Sequence, residues 1–328
     1  MALRVAVVAL GSIGRRHVRT LSSISPTVKI FAVRSRREPR HSEEDLVTKV
    51  FDFTDDAIRT GVDAAIICSP ASQHVSDATA FLQANIPVLI EKPLADNLGS
   101  ATEFRDRTSG KAKILLGYTF RYSKGFNYLQ NVVVSGRLGK IVGARFVSKS
   151  FLPDWRPQQD YRLSVSGSKE LGGGVLLELS HEIDMALSMM GPFESVRADL
   201  KNTGILQISV EDSAKLSLRN ARGVEVSVNL DFSSEVATRL IEIQGEAGRI
   251  VWDLLQNSVA VHEVSKGTSQ VQLPDQRDDF FRRQLRHFLQ LVRGETKTPL
   301  VGLDDGIAVL KIVEAARESA DLGREVFL

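Results

Sequence analysis

The sequence predicts an α/β protein of two domains. A doubly wound parallel sheet fills the N-terminal part, and an α/β region with antiparallel strands follows. Three observations predict this. Short apolar runs alternate with helical segments through roughly the first third of the chain. A glycine turn joins the first run to the first helix. Beyond Arg121 the pattern changes to strict alternation of apolar and polar residues. Continuous apolar runs with helical crossovers mark strands buried on both faces, whereas alternation marks a sheet with one covered face.

Residues 3–10 form the first strand, an apolar run ended by glycine, and residues 11–24 the first helix. Residues 28–33 form a second strand, residues 63–68 (DAAIIC) a third and residues 87–90 (PVLI) a fourth, with a helix over 76–85 between the last two. Residues 114–117 (ILLG) complete this set. Further on, Ala214, Leu216 and Leu218 alternate with polar residues, as do Val224, Val226, Val228, Leu230 and Phe232. The NARG between them predicts a hairpin turn. Strand-like pieces follow at 239–244, 249–252 and 258–264, and amphipathic helices over 278–293 and 303–321 close the chain. The expected division is a nucleotide-binding domain over 1–120 and a substrate-binding and oligomerisation domain over 121–328.

Composition narrows the function. The 328 residues are 43% apolar and 25% charged, ordinary for a globular protein, and the net charge is +2. Nothing in that balance points to nucleic acid or an acidic membrane. No apolar run approaches the roughly 20 residues that cross a bilayer. Cys68 is the one cysteine, so no disulfide within the chain is possible. A cytoplasmic protein is expected.

Ala9-Leu10-Gly11-Ser12-Ile13-Gly14 fits G-x-G-x-x-G with alanine in the first slot, between a strand and a helix. Gly11, Ser12, Ile13 and Gly14 are candidate contacts to a dinucleotide. Gly11 lets the backbone approach a pyrophosphate, and Gly14 lets helix pack on strand. The second strand ends in Arg34-Ser35-Arg36-Arg37, where an NAD-selective site usually carries an acid. A serine among arginines suits a 2′-phosphate better, so Arg34, Ser35 and Arg36 favour NADP over NAD. A solvated basic loop is the alternative. Glu91-Lys92-Pro93 follows the fourth strand, at the sheet edge where ligands bind. The Lys92 ammonium can stabilise a developing alkoxide there.

Together these residues resemble the glucose–fructose oxidoreductase / inositol dehydrogenase / rhizopine-catabolism (Gfo/Idh/MocA) family. ALGSIGRRH, CSPASQH over 68–74, EKP, GYTFRY over 117–122, GGGVLLELSHEID over 172–184 and the closing AARESADLGREV all carry the likeness, which covers essentially the whole chain. The resemblance implies a Rossmann domain followed by an α/β domain with an open-faced, mostly antiparallel sheet. It implies NAD(P) as cofactor, with Ser69, Pro70, His74, Glu91 and Lys92 beside it, and Arg121 in the family's arginine slot. It also implies pairing into homodimers or homotetramers.

The family places a lysine, an aspartate and a histidine around the substrate carbinol. Lys92 and His181 match two of these. Leu177 stands where the aspartate usually lies, and Glu178 stands one residue later. Successive helical residues turn by about 100°. On one helix, Leu176, Leu179, Ile183, Ala186, Leu187 and Met190 would form the core stripe, with Glu178 and His181 on the opposite side. His181 is the expected general base, Glu178 its orienting acid or else a surface glutamate, and Lys92 the group that holds the oxygen. The preceding loop, 151–169, holds Trp155, Arg156, Tyr161 and Arg162, of which Trp155, Tyr161 and Arg162 are, with Arg121, candidate substrate contacts. Aromatic faces suit a sugar and arginines suit an anion, which points to a sugar, sugar acid or nucleotide sugar. A loop used for subunit contact is the competing reading. The expected activity is hydride transfer between nicotinamide and a secondary alcohol or ketone. An NAD-dependent glycosidase and a non-catalytic NAD(P)-binding regulator are the alternatives on this scaffold.

Overall fold

The computed structural model describes residues 2–34, 40–108 and 113–328. Ser35 and Arg36 therefore lie outside the described residues, as does Arg37. In chain order the first elements are β1 (Arg4–Val8), α1 (Ser12–Ile24), β2 (Lys29–Val33), β3 (Lys49–Phe51), α2 (Thr54–Thr60), β4 (Ala64–Ile67), α3 (His74–Gln83), β5 (Val88–Ile90), α4 (Leu98–Arg107) and β6 (Ile114–Leu116). There follow α5 (Lys124–Val134), β7 (Ile141–Phe151), α6 (Val175–Glu178), α7 (His181–Met190), β8 (Phe193–Lys201), β9 (Ser213–Asn220), β10 (Glu225–Asp231) and β11 (Ser233–Gly245). The chain ends with β12 (Gly248–Asp253), β13 (Ser258–Glu263), β14 (Gly267–Gln272), α8 (Arg277–Arg293), α9 (Leu303–Leu322) and β15 (Val326–Phe327).

The chain divides into two units, Met1–Thr119 with Arg277–Ile307, and Phe120–Gln276 with Ala308–Leu328. In the first unit six parallel strands run in the order β3-β2-β1-β4-β5-β6. Val5, Val7, Ile30, Ala32, Ala64, Ile66 and Leu89 are buried in its core because helices cover both faces. The order reverses between β1 and β4, so a crevice opens beyond their carboxyl ends. β3 was not foreseen; three residues with one buried side chain, Phe51, give no readable period.

A single cut at 120/121 would assign α8 to the second domain. The structure groups Arg277–Ile307 with the first unit instead. The reason is packing: Leu285, Phe288, Leu289 and Leu291 share a core with Val5, Val18 and Leu21. Arg16 also stacks over the Phe281 ring, 5.0 Å from its centre.

The second unit is built on a nine-strand sheet, β14-β13-β12-β11-β7-β10-β9-β8-β15. Its one parallel pair is β10 with β7; the other pairings are antiparallel. The hairpin falls where the alternation put it, with Leu218 opposite Val226 and Leu216 opposite Val228. Asn220 closes the turn, its Oδ1 accepting from the backbone N–H of Arg222 and of Val224. Alternate residues of β9 and β10 are buried, and Ser227, Asn229 and Asp231 on the other face are half-buried.

Candidate active site

The sequence-predicted groups fall into two sets, one in each unit. In the first unit they gather at the carboxyl ends of β1, β2, β4 and β5. Ala9 follows β1 with φ 67°, the left-handed conformation a glycine would adopt without strain. The turn geometry of the first slot is therefore kept although the residue is alanine. A Cβ at Gly14 would overlap the Ala9 carbonyl oxygen, so only glycine lets α1 approach the turn this closely. At Gly11 a Cβ would meet nothing within 4 Å, which leaves open space over the α1 N-terminus. No acidic residue stands in the first turn of α1. These features fit a dinucleotide pyrophosphate, with Gly11, Ser12 and Ile13 presenting the backbone to it.

Arg34 follows β2 beside this turn, since the Ala9 N–H donates to the Val33 carbonyl at 2.8 Å. Its guanidinium bonds the Glu44 carboxylate at 2.6 Å, and both side chains are about nine-tenths buried. Glu44 lies on a short 3₁₀ turn, Ser42–Leu46, and also accepts from the His41 N–H at 2.9 Å. Burial opposes its charge, yet the His41 N–H and Arg34 outweigh that and hold the carboxyl below its usual range. The neighbouring Glu43 pairs with Arg19 and lies 4.0 Å from Arg15. Glu44 thus places a carboxylate beside Arg34 from ten residues later, a distance over which no local pattern speaks.

Of the residues after β4, Ser69 donates from Oγ to Asp77 at 2.6 Å, and Pro70 precedes a 3₁₀ turn, Ala71–Gln73. His74 is 2% exposed. Its Nδ1 lies 2.7 Å from the Pro93 carbonyl and its Nε2 2.8 Å from the Ser69 carbonyl. A neutral imidazole donates to one of these two carbonyls, and the ring lies between the loop after β4 and the loop after β5. Burial also keeps its pKa below the usual histidine value. Glu91, likewise expected among the cofactor contacts, is buried and bonds His17 of α1 at 2.7 Å. That pair anchors the residue before Lys92 to the helix that carries the glycine turn. The Lys92 N–H donates to Glu91 Oε2 at 3.3 Å, and the Lys92–Pro93 bond is cis. Burial and the Glu91 charge raise the Cys68 thiol well above its ordinary pKa, so Cys68 packs rather than reacts.

In the second unit the GGG stretch leads into α6. Gly174 has φ 103°, a conformation closed to other residues, and a Cβ there would also strike the Glu211 carboxylate. The expected single helix is broken. α6 ends at Glu178, and α7 starts at His181. The 100° projection therefore does not carry across Leu179 and Ser180. Glu178 accepts from Ser166 Oγ at 2.7 Å. Leu177, in the slot of the family's aspartate, is 1% exposed, so a carboxylate there would face an apolar surrounding. His181 opens α7 with its ring edge-on to Phe120, centres 4.9 Å apart.

Two carboxylates that the sequence reading passed over lie just beyond it. Glu182 and Asp184 are each 1% exposed. Asp184 accepts two bonds from Arg121, at 2.8 and 2.7 Å, and Glu182 accepts from Arg239 Nε at 2.7 Å. Arg239 in turn lies over the Phe120 ring at 4.2 Å. The Arg121 fork is thus engaged by an internal carboxylate, which gives it a structural part in holding α7. The signal was present in HEID, where charged residues interrupt a buried helix, but the partners are 57 and 63 positions away. Of the loop residues, Trp155 donates to Ser150 Oγ and packs edge-on against Phe232. Tyr161 donates to the Leu206 carbonyl, and Arg162 pairs with Asp160. Among the described residues no group of three or more His, Cys, Asp or Glu is placed to hold a metal ion, and no helix is long and apolar enough to cross a membrane.

A parallel sheet of this order, with a glycine turn at its reversal point, defines the class: a dinucleotide-binding α/β protein. Comparison with known proteins narrows it. Residues 3–118 match the profile of the oxidoreductase family with an NAD-binding Rossmann fold, and residues 126–251 match the GFO/IDH/MocA C-terminal domain. The chain belongs to the Gfo/Idh/MocA family of oxidoreductases. It is 30% identical to the myo-inositol 2-dehydrogenase of Thermotoga maritima over 352 residues, covering 99% of this chain and 98% of the relative. Among solved structures it is similar to a probable dehydrogenase from Thermotoga maritima, with 27% identity, TM-score 0.81 and coverage of 99% and 98%. A levoglucosan dehydrogenase in complex with NADH and levoglucosan shares the fold at TM-score 0.89 and 19% identity, covering 100% and 99%. The protein is an NAD(P)-dependent oxidoreductase acting on CH–OH groups.

Proposed function

We propose that the substrate is a neutral polyhydroxylated ring, a cyclic polyol or sugar, whose secondary hydroxyl is oxidised to a ketone. The observation that carries the reading is the shared sheet edge: the open glycine turn after β1 and Lys92 after β5 lie at the carboxyl ends of one parallel sheet. Similarity to a myo-inositol 2-dehydrogenase supports a ring polyol. Of the loop arginines that suggested an anionic substrate, Arg162 supports it less, because it is bonded to Asp160.

The nicotinamide, when bound, accepts the hydride in oxidation and returns it in reduction. Lys92 holds the carbinol oxygen and stabilises its alkoxide character. His181 takes the hydroxyl proton at a ring nitrogen, and gives it back in the reverse direction. The Phe120 edge contact and the fixed start of α7 restrain that ring. Glu178, which accepts from Ser166 Oγ, is the acid that would orient the imidazole. Trp155, 37% exposed, offers an aromatic face to the C–H side of a sugar ring. The basic run after β2 favoured NADP by charge, and the Arg34–Glu44 pair bears directly on that preference. Cytoplasmic residence and assembly into homodimers or homotetramers belong to the same proposal. Family membership supports the assembly, which light scattering tests.

The test is incubation with NAD and NADP separately, across neutral ring polyols, anhydro-sugars, sugar acids and glycosides, with reduced nicotinamide followed by absorbance. Polyol-dependent reduction is expected. Glycoside cleavage without net reduction, or binding without turnover, would contradict the reading.

A further inference from the structure

The pair at the end of β2 has a chemical consequence for the dinucleotide. The 2′-phosphate that distinguishes NADP from NAD carries a charge of about −1.5 to −2 near neutral pH and needs cationic donors. The 2′-hydroxyl of NAD is a single donor, and a carboxylate accepts from it. Arg34 stands next to the glycine turn, where the adenosine end of a dinucleotide lies in a sheet of this order. It does not stand there as a lone cation. Its guanidinium is 2.6 Å from Glu44, with side-chain exposures of 9% and 10%. The pair's charges cancel, and Glu44 is further held by the His41 N–H.

We propose that Glu44 is a specificity-determining residue: by holding Arg34 it withholds the guanidinium from a 2′-phosphate, and its carboxylate takes the part of the acid that the end of β2 lacks. On this basis Arg34 does not recruit a 2′-phosphate and the pair favours NAD, the reverse of what Arg34 suggests from sequence. Binding a 2′-phosphate on Arg34 would require opening a largely buried ion pair and leaving a carboxylate beside the phosphate, and both steps oppose NADP. Among the described residues, the neighbouring cations Arg19 and Arg15 are directed at Glu43. The inference rests on the dinucleotide-binding assignment of the first unit and on no assumption about the catalytic residues.

The test measures binding rather than turnover. Dissociation constants for NADH and NADPH are determined by nicotinamide fluorescence on the full chain, for the wild type, Glu44→Gln and the double variant Arg34→Gln/Glu44→Gln. Wild type is expected to bind NADH more tightly than NADPH. Glu44→Gln removes the charge at nearly constant shape, and should move the NADPH-to-NADH preference at least about tenfold toward NADPH, about 1.4 kcal/mol. The double variant should lose that gain, because Arg34 is the group set free. A preference unchanged in Glu44→Gln would overturn the proposal, as would a gain that survives removal of Arg34. If neither dinucleotide bound the wild type, the cofactor assignment itself would fall. The two NADH constants also report folding, since a collapsed 3₁₀ turn would weaken both dinucleotides together and leave their ratio unmoved, which counts against the proposal.

Discussion

Removing the Asp184 carboxylate should weaken the second unit far more than a surface ion pair would. Asp184 is 1% exposed and Arg121 about 10%, and the two share a bidentate bond. In Asp184→Ala the guanidinium stays buried without the Asp184 carboxylate. Breaking such a pair from one side costs about 3–5 kcal/mol. For a unit of this size each kcal/mol moves the melting temperature by about 2–4 °C, so a fall of roughly 6–20 °C is expected. Because the loss comes from a stranded charge, replacing both partners with leucine should recover much of it. Differential scanning calorimetry of wild type, Asp184→Ala and Arg121→Leu/Asp184→Leu gives the comparison. A single variant that melts with the wild type would refute the reasoning. So would a double variant less stable than the single one, since that would show lost packing rather than an orphaned cation. Asp184 lies one helical turn beyond His181 on α7.

Further outcomes concern the first unit. Ala9 sits at φ 67°, so Ala9→Gly should be tolerated or slightly stabilising, while Ala9→Val should cost about 1–3 kcal/mol in urea melts. His74 is buried with a pKa below the ordinary 6.5. The folded state therefore refuses a proton that the unfolded chain accepts, and stability is fully present above about 6.5 and falls as the pH drops toward the folded pKa. One such group contributes up to about 1.4 kcal/mol per pH unit within that window. His74→Gln, compared with wild type by thermal melting over the same range, should flatten the slope. An equal slope in both proteins would place the acid sensitivity elsewhere.

The parts legible in the sequence were those with local cause. β1, β4 and β5 are continuous apolar runs, and the hairpin of β9 and β10 announces itself by strict alternation and a turn that Asn220 and Gly223 complete. The glycine turn was readable because its residue types follow from close approach, as the overlap at Gly14 shows. The break between α6 and α7 was hidden, since leucines and a serine continue a helical pattern while the chain leaves it. The placement of α8 could not be read either, because its apolar stripe states only that it packs, not on which core. Above all, the ion pairs Arg34–Glu44, Arg121–Asp184 and Arg239–Glu182 change what each arginine can do. Each is a tertiary contact, so an arginine that looked like a ligand contact became a partner of an internal acid.

Lys92 and His181 are proposed to carry, respectively, the oxygen and the proton chemistry of the redox step. The most direct measurement of this claim is the single-turnover rate of nicotinamide reduction by a polyol substrate, in wild type, Lys92→Ala and His181→Ala, with NADH binding measured alongside. Each variant is predicted to lose at least about a hundredfold in rate while still binding NADH. A wild-type rate in either variant would contradict the claim.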